Sequence, residues 1–400
     1  MEIVKKYWLV IVIGLILRLV IAGVSFHPDV RSSALSSAVV FREGSVNFYE
    51  QSKNLDPQEI LDDLPLSYLI NLPLHSILRP FISTEIEDQF LNSINTLFGN
   101  PSLWFYLIYT KLPLIIFDLA LGILLAFSVN EVFRKKTLYF WLFNPFTLWV
   151  TSAIGQFDIY PTVFIVLAWF LVKRNQLNWA SISLGMGGAI KSAPFLLVPF
   201  LVGLGKNWTQ RLIILILAGV PYLITIIPYL GTEEFRGNAL LAPQLSKSFY
   251  TNIALSGGEK ILLVPVILII LYLFYFSKKR EARNFLNFSL VTLLVVLSLT
   301  HFHIQWFLWV LPFLIIWLLG NWSSSVKLAT LGIFTTLIMM IFLFESSLQI
   351  KLLAPIFPGL DNALGFKEML SDEQGIFLRS LAASIFAGCN VFLIWKILKD

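Results

Sequence analysis

The stretch TLYFWLFNPFTLWVTSAIGQFDIYPTVFIVLAWFLVK, residues 137–173, contains two apolar runs separated by a short turn that carries Gln156 and Asp158. Each run approaches the roughly 17–25 apolar residues of a membrane-spanning helix. The turn is therefore predicted to lie at one membrane surface, between two antiparallel spans. An amide and a carboxylate at this surface face water, which makes the turn the first candidate for a functional site.

The rest of the chain has the same apolar character. Of its 400 residues, 57% are hydrophobic and only 13% are charged, whereas soluble domains carry about 25% charged residues. Apolar side chains at this density cannot cover a water-facing surface, so the composition predicts a polytopic membrane protein. The net charge of +5 comes from small groups of Lys and Arg between apolar runs, and it does not indicate nucleic-acid binding. The single cysteine, Cys389, excludes an intramolecular disulfide.

Apolar runs of membrane-spanning character recur along the whole chain. The first follows two lysines and is long, which favours an uncleaved first helix over a cleaved signal peptide. We predict an all-α, polytopic bundle of about twelve spans that forms a single transmembrane domain over residues 1–400. The predicted spans are 7–24, 103–128, 138–154, 159–173, 178–190, 193–205, 211–229, 261–277, 285–300, 306–320, 327–344 and 378–397. The stretch 178–205 is compatible with one bent helix or with two half-spans.

Groups of Lys and Arg occupy alternate ends of these spans, and basic short loops stay on the cytoplasmic side. The groups are 5–6, 134–136, 173–174, 206 with 211, 278–280, 327, and 396 with 399. All of them lie inside if both termini are cytoplasmic and 178–205 crosses twice. The outer side then receives the GQFD turn, all four histidines and the long first loop, 25–102. Within this loop, residues 64–81 form an amphipathic stretch suited to the membrane interface.

Two acids lie at the outer ends of predicted helices. Asp29, in HPDVR directly after the first span, is placed to act as a general base at a fixed depth near the membrane. The alternative for Asp29 is a solvated loop charge or a helix cap. Asp158 either works with Gln156 on a polar substrate or caps the span that follows it.

Basic and neutral hydrogen-bond donors form a second candidate group on the outer side. Lys191 lies where a helix turns back, so it either extends to the interface or binds an anion. His301, His303 and Gln305 adjoin Trp306 and form either a binding site or interfacial anchors. The H-x-H spacing also allows two metal ligands, but no acid cluster accompanies it, and we predict no metal.

Two charged residues lie deeper in the predicted spans. Arg18 and Asp118 are both about 15 Å from the cytoplasmic surface at 1.5 Å of rise per residue. An isolated charge at this depth costs several kcal/mol, so we predict a structural ion pair between them. Lys111 lies seven residues outward of Asp118 on roughly the same helix face. We therefore expect Lys111 near the outer surface, as part of the candidate site.

An ordered set of motifs in this chain resembles a known family. The chain is similar to the GT-C superfamily, polytopic glycosyltransferases that use polyprenyl-phosphate-linked sugars and include the GPI mannosyltransferases. The matching stretches, across about three quarters of the chain, are HPD (27–29), REGSVNFYE (42–50), KLPLIIFDLALGILL (111–125), FNPFTLWVTSAIGQFD (143–158), AIKSAPFLLVPF (189–200) and HFHIQWFLWVLPF (301–313). Relatives often carry a second acid soon after the first, whereas this chain has RSSALSSAVV (31–40) there.

The resemblance implies a GT-C-like fold and an inverting glycosyl transfer at the outer membrane face, without a cofactor. Mannose or another hexose would move from a polyprenyl-phosphate donor to a hydroxyl of a glycan, lipid or protein acceptor. Asp29 would deprotonate that hydroxyl, cationic or neutral donors would stabilise the departing lipid phosphate, and Gln156 and Asp158 would bind the sugar. The implied substrate-binding residues are Arg31, Lys111, Gln156, Asp158, Lys191, His301, His303 and Gln305.

Two other classes of function are compatible with a polytopic chain. One is a transporter or flippase of a lipid-linked or small polar substrate, and the other is a noncatalytic membrane assembly factor. Transporters typically show repeat symmetry and polar groups at mid-membrane on discontinuous helices. In this chain the polar groups gather at one predicted face, which favours the transferase.

Overall fold

The structure, a computed structural model, describes residues 2–44, 46–51, 61–242, 246–247, 249–301 and 303–399. Helices form nearly all of the regular structure in these residues, as the predicted all-α class requires. A short antiparallel hairpin is the exception there; its strands are β1 (Asn252–Ala254) and β2 (Lys260–Leu262). Contacts within the chain group it into two compact units.

The first unit comprises Met1–Val163, Ile224–Ala242 and Phe344–Leu370. The α-helices that lie or begin in it are α1 (Glu2–Val24), α2 (Val30–Glu43), α3 (Phe48–Gln51), α4 (Pro65–Leu69), α5 (Leu72–Leu78), α6 (Thr84–Asn92), α7 (Pro101–Ser128), α8 (Glu131–Leu142), α9 (Pro145–Thr147) and α10 (Ile159–Lys173). Its 3-10 turns are Arg79–Phe81, Ile94–Leu97, Ile227–Tyr229, Ser346–Leu348, Ile350–Leu353, Pro358–Asn362 and Lys367–Met369. Two π-helical segments are Leu148–Ala153 and Phe235–Leu240.

The second unit comprises Phe164–Leu223, Pro243–Leu343 and Ser371–Asp400. Its further α-helices are α11 (Leu177–Gly188), α12 (Val198–Leu204), α13 (Trp208–Ile226), α14 (Leu263–Phe276), α15 (Ala282–Leu299), α16 (Leu311–Leu318), α17 (Ser324–Leu343) and α18 (Asp372–Lys399). Its 3-10 turns are Ala193–Leu197, Ser256–Gly258 and Ile304–Trp309.

Among the described residues, six helices are long and apolar enough to cross a membrane, which indicates an integral membrane protein. They are Lys5–Val24, Pro101–Ser128, Trp208–Tyr229, Ala282–Leu299, Ser324–Leu343 and Asp372–Lys399. The other six predicted spans form shorter or interrupted helices. For example, α11 has 12 residues and rises only about 18 Å, too little for a bilayer core of about 30 Å. The structure therefore provides six helices of full spanning length where the sequence predicted about twelve spans.

The predicted span 138–154 is interrupted just before the GQFD turn. The helix α8 ends at Leu142, and Asn144 then accepts a hydrogen bond from the Phe146 N–H at 2.9 Å to start a new turn at Pro145. Proline has no N–H and disfavours a helical conformation in the residue before it, so α8 cannot continue through this point. The chain instead passes through α9 and the π-helical segment Leu148–Ala153, and the GQFD turn follows directly after this segment.

A buried ion pair holds this interrupted segment against α1 and α7. The expected partners Arg18 and Asp118 are both fully buried, with Nε and Oδ2 2.6 Å apart. Asp118 also accepts hydrogen bonds from Trp141 Nε1 at 2.6 Å and from Thr151 Oγ1 at 2.7 Å, while Arg18 Nη1 donates to the Leu142 carbonyl at 2.9 Å. The ion pair and its hydrogen-bond partners thus connect α1 and α7 with α8, before the interruption at Pro145, and with the π-helical segment after it.

The amphipathic stretch 64–81 forms α4, α5 and a 3-10 turn. Its polar side chains face the protein interior and several of its apolar side chains are exposed, the reverse of a helix on the surface of a soluble protein. Asn71 and His75 are buried, whereas Ile77 and Phe81 are 70% and 83% exposed. Apolar side chains that face away from the interior are what a helix at the lipid interface requires. Their exposure supports the predicted interfacial position of this stretch.

Candidate functional site

The loop between α1 and α2 presents Asp29 at the edge of the first unit. The Phe26 N–H donates to the Leu352 carbonyl at 2.9 Å, which attaches this loop to the 3-10 turn Ile350–Leu353. Asp29 occupies the N-cap position of α2, but its side chain makes no capping hydrogen bond. The carboxylate is instead half exposed, so the capping alternative does not explain its position.

Gln156 orients the Asp29 carboxylate. Its side-chain Nε2 donates a hydrogen bond to Asp29 Oδ2, and its backbone N–H donates to the Val150 carbonyl at 2.9 Å. Because a carboxylate only accepts hydrogen bonds, the amide nitrogen must face it. Gly155, at φ +67, lets the turn approach α2, since a Cβ there would lie 2.7 Å from Val30 Cγ2. Gln156 does not contact the second carboxylate oxygen, Oδ1, which can accept a hydrogen bond from another group.

His27 lies beneath Asp29 and is only 5% exposed. Its Nδ1 accepts the Asp29 backbone N–H at 3.3 Å and lies 3.6 Å from Asp29 Oδ1. A nitrogen that accepts carries no hydrogen of its own, so the geometry assigns the imidazole proton to Nε2. Burial lowers the pKa of His27, although the carboxylates of Asp29 and Glu345 act in the opposite direction. The imidazole is therefore neutral at pH 7.

Lys111 is not the surface cation that its sequence position predicted. It is fully buried, and its Nζ lies 2.6 Å from the Ser25 carbonyl, 2.9 Å from that of Ala153, 3.0 Å from that of Ser152 and 3.2 Å from that of Ala22. These carbonyls lie at or just beyond the ends of α1 and the π-helical segment, where backbone dipoles leave partial negative charge. An ammonium has three N–H donors, all taken by protein oxygens. The prediction that Lys111 lies near the outer surface is wrong, because its side chain is buried and donates to these carbonyls.

Gln156 and Asp158 are more deeply buried than expected. Gln156 is 3% exposed and Asp158 is fully buried, so the prediction that both face water is wrong. The turn packs against α2 at Gly155. The Asp158 carbonyl accepts a hydrogen bond from Thr162 Oγ1 at 2.6 Å. Arg31, also expected in the site, donates from Nη2 to the Leu91 carbonyl.

A polar network that the sequence did not reveal connects α10, α4–α5 and α2. The Tyr160 hydroxyl donates to Asn71 Oδ1, and Asn71 Nδ2 donates to Ser33 Oγ at 2.9 Å. His75 Nδ1 lies 2.8 Å from Ser37 Oγ, and burial lowers the pKa of His75 to about 4. These contacts attach the amphipathic stretch to the helix that begins at Asp29. Asn71 and His75 lie four residues apart, a spacing that places both on one helix face.

The remaining predicted site residues belong to the second unit. Lys191 is partly exposed after the end of α11, and Gln305 is partly exposed in the 3-10 turn Ile304–Trp309. His301 and His303 are exposed. His303 Nε2 lies 2.8 Å from Lys247 Nζ. Since an ammonium only donates hydrogen bonds, Nε2 is the acceptor in this contact.

Aromatic and cationic side chains surround the two histidines. The His303 ring lies 5.4 Å from that of Trp306, which stacks on Trp309 at 5.3 Å. Burial lowers the pKa of His301, and the charges of Lys247 and Arg379 lower it further. The sequence analysis missed both cations. Arg379 had a usable signal, because it lies at the outer end of the last predicted span, where the positive-inside rule disfavours arginine.

In the described part of the chain, no group of three or more His, Cys, Asp or Glu side chains is arranged to hold a metal ion. No family model, curated protein or solved structure was found to match the chain.

Proposed function

We propose that the chain is an integral-membrane glycosyltransferase of the GT-C type, which transfers a hexose from a polyprenyl-phosphate donor to an acceptor hydroxyl. One observation carries the proposal: a half-exposed carboxylate, Asp29, lies just beyond the first membrane-spanning helix and is oriented by the buried amide of Gln156. A donor anchored by its lipid presents phosphate and sugar at the membrane surface. A base held near the end of a spanning helix lies at the depth where such a donor reacts.

Asp29 acts as the general base in this proposal. The acceptor hydroxyl donates to Oδ1, the oxygen that Gln156 leaves available, and Asp29 takes its proton as the hydroxyl oxygen attacks the anomeric carbon. The bond from that carbon to the phosphate oxygen breaks on the opposite face, which inverts the configuration. Gln156 is a positioning residue in this scheme, since its amide holds the carboxylate instead of binding the sugar.

The leaving polyprenyl phosphate gains negative charge and requires cations or hydrogen-bond donors. The resemblance gives anion binding to Lys191, His301, His303 and Gln305, and we retain that role as a proposal for the second unit taken by itself. Lys247 and Arg379 add positive charge near His301, which supports an anion as the ligand there. The buried Asp158 is the rival of Asp29 for the role of base.

A transporter is the second candidate, because the interrupted segment 143–154 has the discontinuous character of transporter helices. In transporters, the carbonyls at such a break coordinate the transported cation. Here the carbonyls of Ser152 and Ala153 are bound by Lys111 Nζ. The protein's own ammonium occupies the place of a mobile cation, which favours the transferase.

Incubation of the purified protein with a panel of radiolabelled polyprenyl-phosphate sugars tests the proposal. Membrane lipids, glycans and peptides serve as acceptors, and the Asp29→Asn variant is the control. We expect one donor to transfer its label and to release free polyprenyl phosphate. Label that crosses a proteoliposome membrane without any transfer would instead identify a transporter.

A further inference from the structure

Two loops at one end of helices in the second unit carry an excess of positive charge. They are residues 205–211, between α12 and α13, and residues 277–283, between α14 and α15. One of their residues, Glu281, is acidic and six are basic: Lys206, Arg211, Lys278, Lys279, Arg280 and Arg283. None of these seven side chains forms an ion pair with another described residue. Unpaired charges of one sign attract a partner of the opposite sign.

The carbonyl of Gly205 holds two of these cations close together. It accepts a hydrogen bond from Arg211 Nε at 3.2 Å and another from Arg280 Nη1 at 3.3 Å. The two loops are thus joined through a neutral oxygen and not through a carboxylate, so both guanidinium charges stay uncompensated. A guanidinium has five N–H donors, and these contacts use one from each arginine. The other donors can bind the oxygens of an anion.

A small pocket lies beside these loops. Tyr275 in its wall is only 3% exposed, and its hydroxyl has no hydrogen-bond partner among the described residues. A buried hydroxyl without a partner is costly, and an oxygen of a bound ligand would supply one. Gly203 lets α12 approach this ring, since a Cβ there would lie 2.6 Å from Tyr275 Cε1. The residues that line the pocket are Gly203, Tyr275, Phe276, Lys278, Lys279 and Arg280.

Apolar side chains beside the cations indicate that the ligand is a lipid. Phe276 is 50% exposed and Trp208 is 81% exposed. Lys278 Nζ lies 4.6 Å from the centre of the Phe274 ring, and Arg211 Cζ lies 5.3 Å from that of Trp208. Tryptophan concentrates at the boundary between membrane and water. The exposed side chains of α14 continue the apolar surface away from the pocket; they include Val266, Ile269, Ile270 and Leu273.

We propose that this pocket binds the phosphate headgroup of an anionic phospholipid. Phosphate oxygens accept hydrogen bonds from Arg280, Lys278 and the Tyr275 hydroxyl, while the acyl chains lie along the exposed apolar face of α14. Basic pockets between spanning helices on the cytoplasmic side are typical sites for such headgroups, and the distribution of Lys and Arg predicts that side for these loops. The proposal does not depend on the proposed glycosyl transfer.

The basic group 134–136 provides a matched comparison. Residues 134–136 and 278–280 each contain two lysines and one arginine, and both groups lie at the predicted cytoplasmic surface. Arg134 pairs with Glu131 at 2.7 Å, so part of the charge of this group is compensated. Lys135 and Lys136 are exposed. General attraction to an anionic membrane acts on both groups, whereas a built site acts only through 278–280.

Titration of the purified protein in detergent with phosphatidylglycerol tests the site. We expect a saturable rise in melting temperature with this lipid and none with phosphatidylcholine, which has no net charge. Glycerol phosphate, which carries the phosphate without acyl chains, should have no effect at the same concentration. An equal rise with phosphatidylcholine, or no rise with either lipid, overturns the headgroup site. Saturation by glycerol phosphate at the same concentration as the lipid overturns the assignment to a lipid.

Variants locate the binding. Lys278→Gln, Lys279→Gln and Arg280→Gln together should weaken the affinity for phosphatidylglycerol by about a hundredfold, since each cation near a membrane surface contributes about a factor of five. The control, Arg134→Gln with Lys135→Gln and Lys136→Gln, should change the affinity by less than about threefold. Equal losses in the two triple variants would show a diffuse attraction and overturn the site.

Tyr275→Phe removes the hydroxyl and leaves every charge in place, so it does not disturb the orientation of the chain in the membrane. We expect it to weaken the affinity by about tenfold, because hydrogen bonds to charged groups are among the stronger ones. An unchanged affinity in Tyr275→Phe would show that the headgroup does not enter the pocket and would overturn the proposal.

Discussion

Arg18 and Asp118 form a buried ion pair, and Trp141 and Thr151 donate hydrogen bonds to the carboxylate. Removal of one partner leaves an uncompensated charge, which typically costs about 3–5 kcal/mol, whereas removal of both costs less. We expect Arg18→Met alone to destabilise the protein strongly, and Arg18→Met with Asp118→Asn to recover part of the loss. The asparagine retains one acceptor oxygen, for Trp141, and its amide nitrogen takes the place of the oxygen that accepts from Thr151, whose hydroxyl also donates to the Thr147 carbonyl at 2.8 Å. Losses of Arg18→Met and Asp118→Asn that simply add in the double variant, measured as melting curves in detergent, would show that the two charges are not coupled.

His75 makes stability depend on pH. It is buried, and its pKa falls from 6.5 to about 4 on folding, so the unfolded chain binds a proton more readily than the folded one between these values. Stability is therefore full above pH 6.5 and declines as the pH falls toward 4, by about 2 kcal/mol between pH 7 and pH 5.

The His75→Gln variant tests this dependence, because glutamine retains hydrogen-bonding groups and does not titrate. We expect its melting temperature to fall less than that of the wild type when the pH is lowered from 7 to 5. An identical decrease in both proteins would assign the pH dependence to other groups.

At the scale of elements, Lys111 links the end of α1 with the end of the π-helical segment. Asp29 follows the first of these ends by a few residues, and Gln156 follows the second. Lys111→Met removes the ammonium donor from several buried carbonyls, and each carbonyl left without a donor costs about 1–3 kcal/mol. We expect a large loss of thermal stability in detergent, with Lys136→Met, an exposed lysine of α8, as the matched control. A small loss, equal to that of the control, would contradict this role of Lys111.

At the scale of the whole molecule, the distribution of Lys and Arg predicts that both termini are cytoplasmic. Cysteines at positions 238 and 360 should react with a membrane-impermeant reagent added outside intact cells, and so should position 56, which lies outside the described residues. Cysteines at 135 and 279 should react only after the membrane is opened. Labelling of position 135 from outside would contradict the predicted orientation.

The membrane character, the all-α class and the partnership of Arg18 with Asp118 followed from the sequence because each depends on local pattern and helix rise. The number of full-length spans did not, since counting apolar residues ignores breaks such as the one at Pro145. Lys111 was misplaced because helix periodicity gives the face of a residue but not what packs against that face. Tyr160 and Asn71 are 89 residues apart, and no local pattern reports such a contact.

The central claim is that Asp29 is the general base of a glycosyl transfer, and turnover of Asp29→Asn tests it most directly. Asparagine keeps the shape of the side chain and removes the proton acceptor, a contribution that is typically worth 10²–10⁴-fold. We expect turnover to fall by about this factor while the affinity for the donor changes little. Asp158→Asn is the control, and it should mainly weaken substrate binding. Turnover of Asp29→Asn within about threefold of wild type, with Asp158→Asn inactive, would contradict the account and assign the base to Asp158.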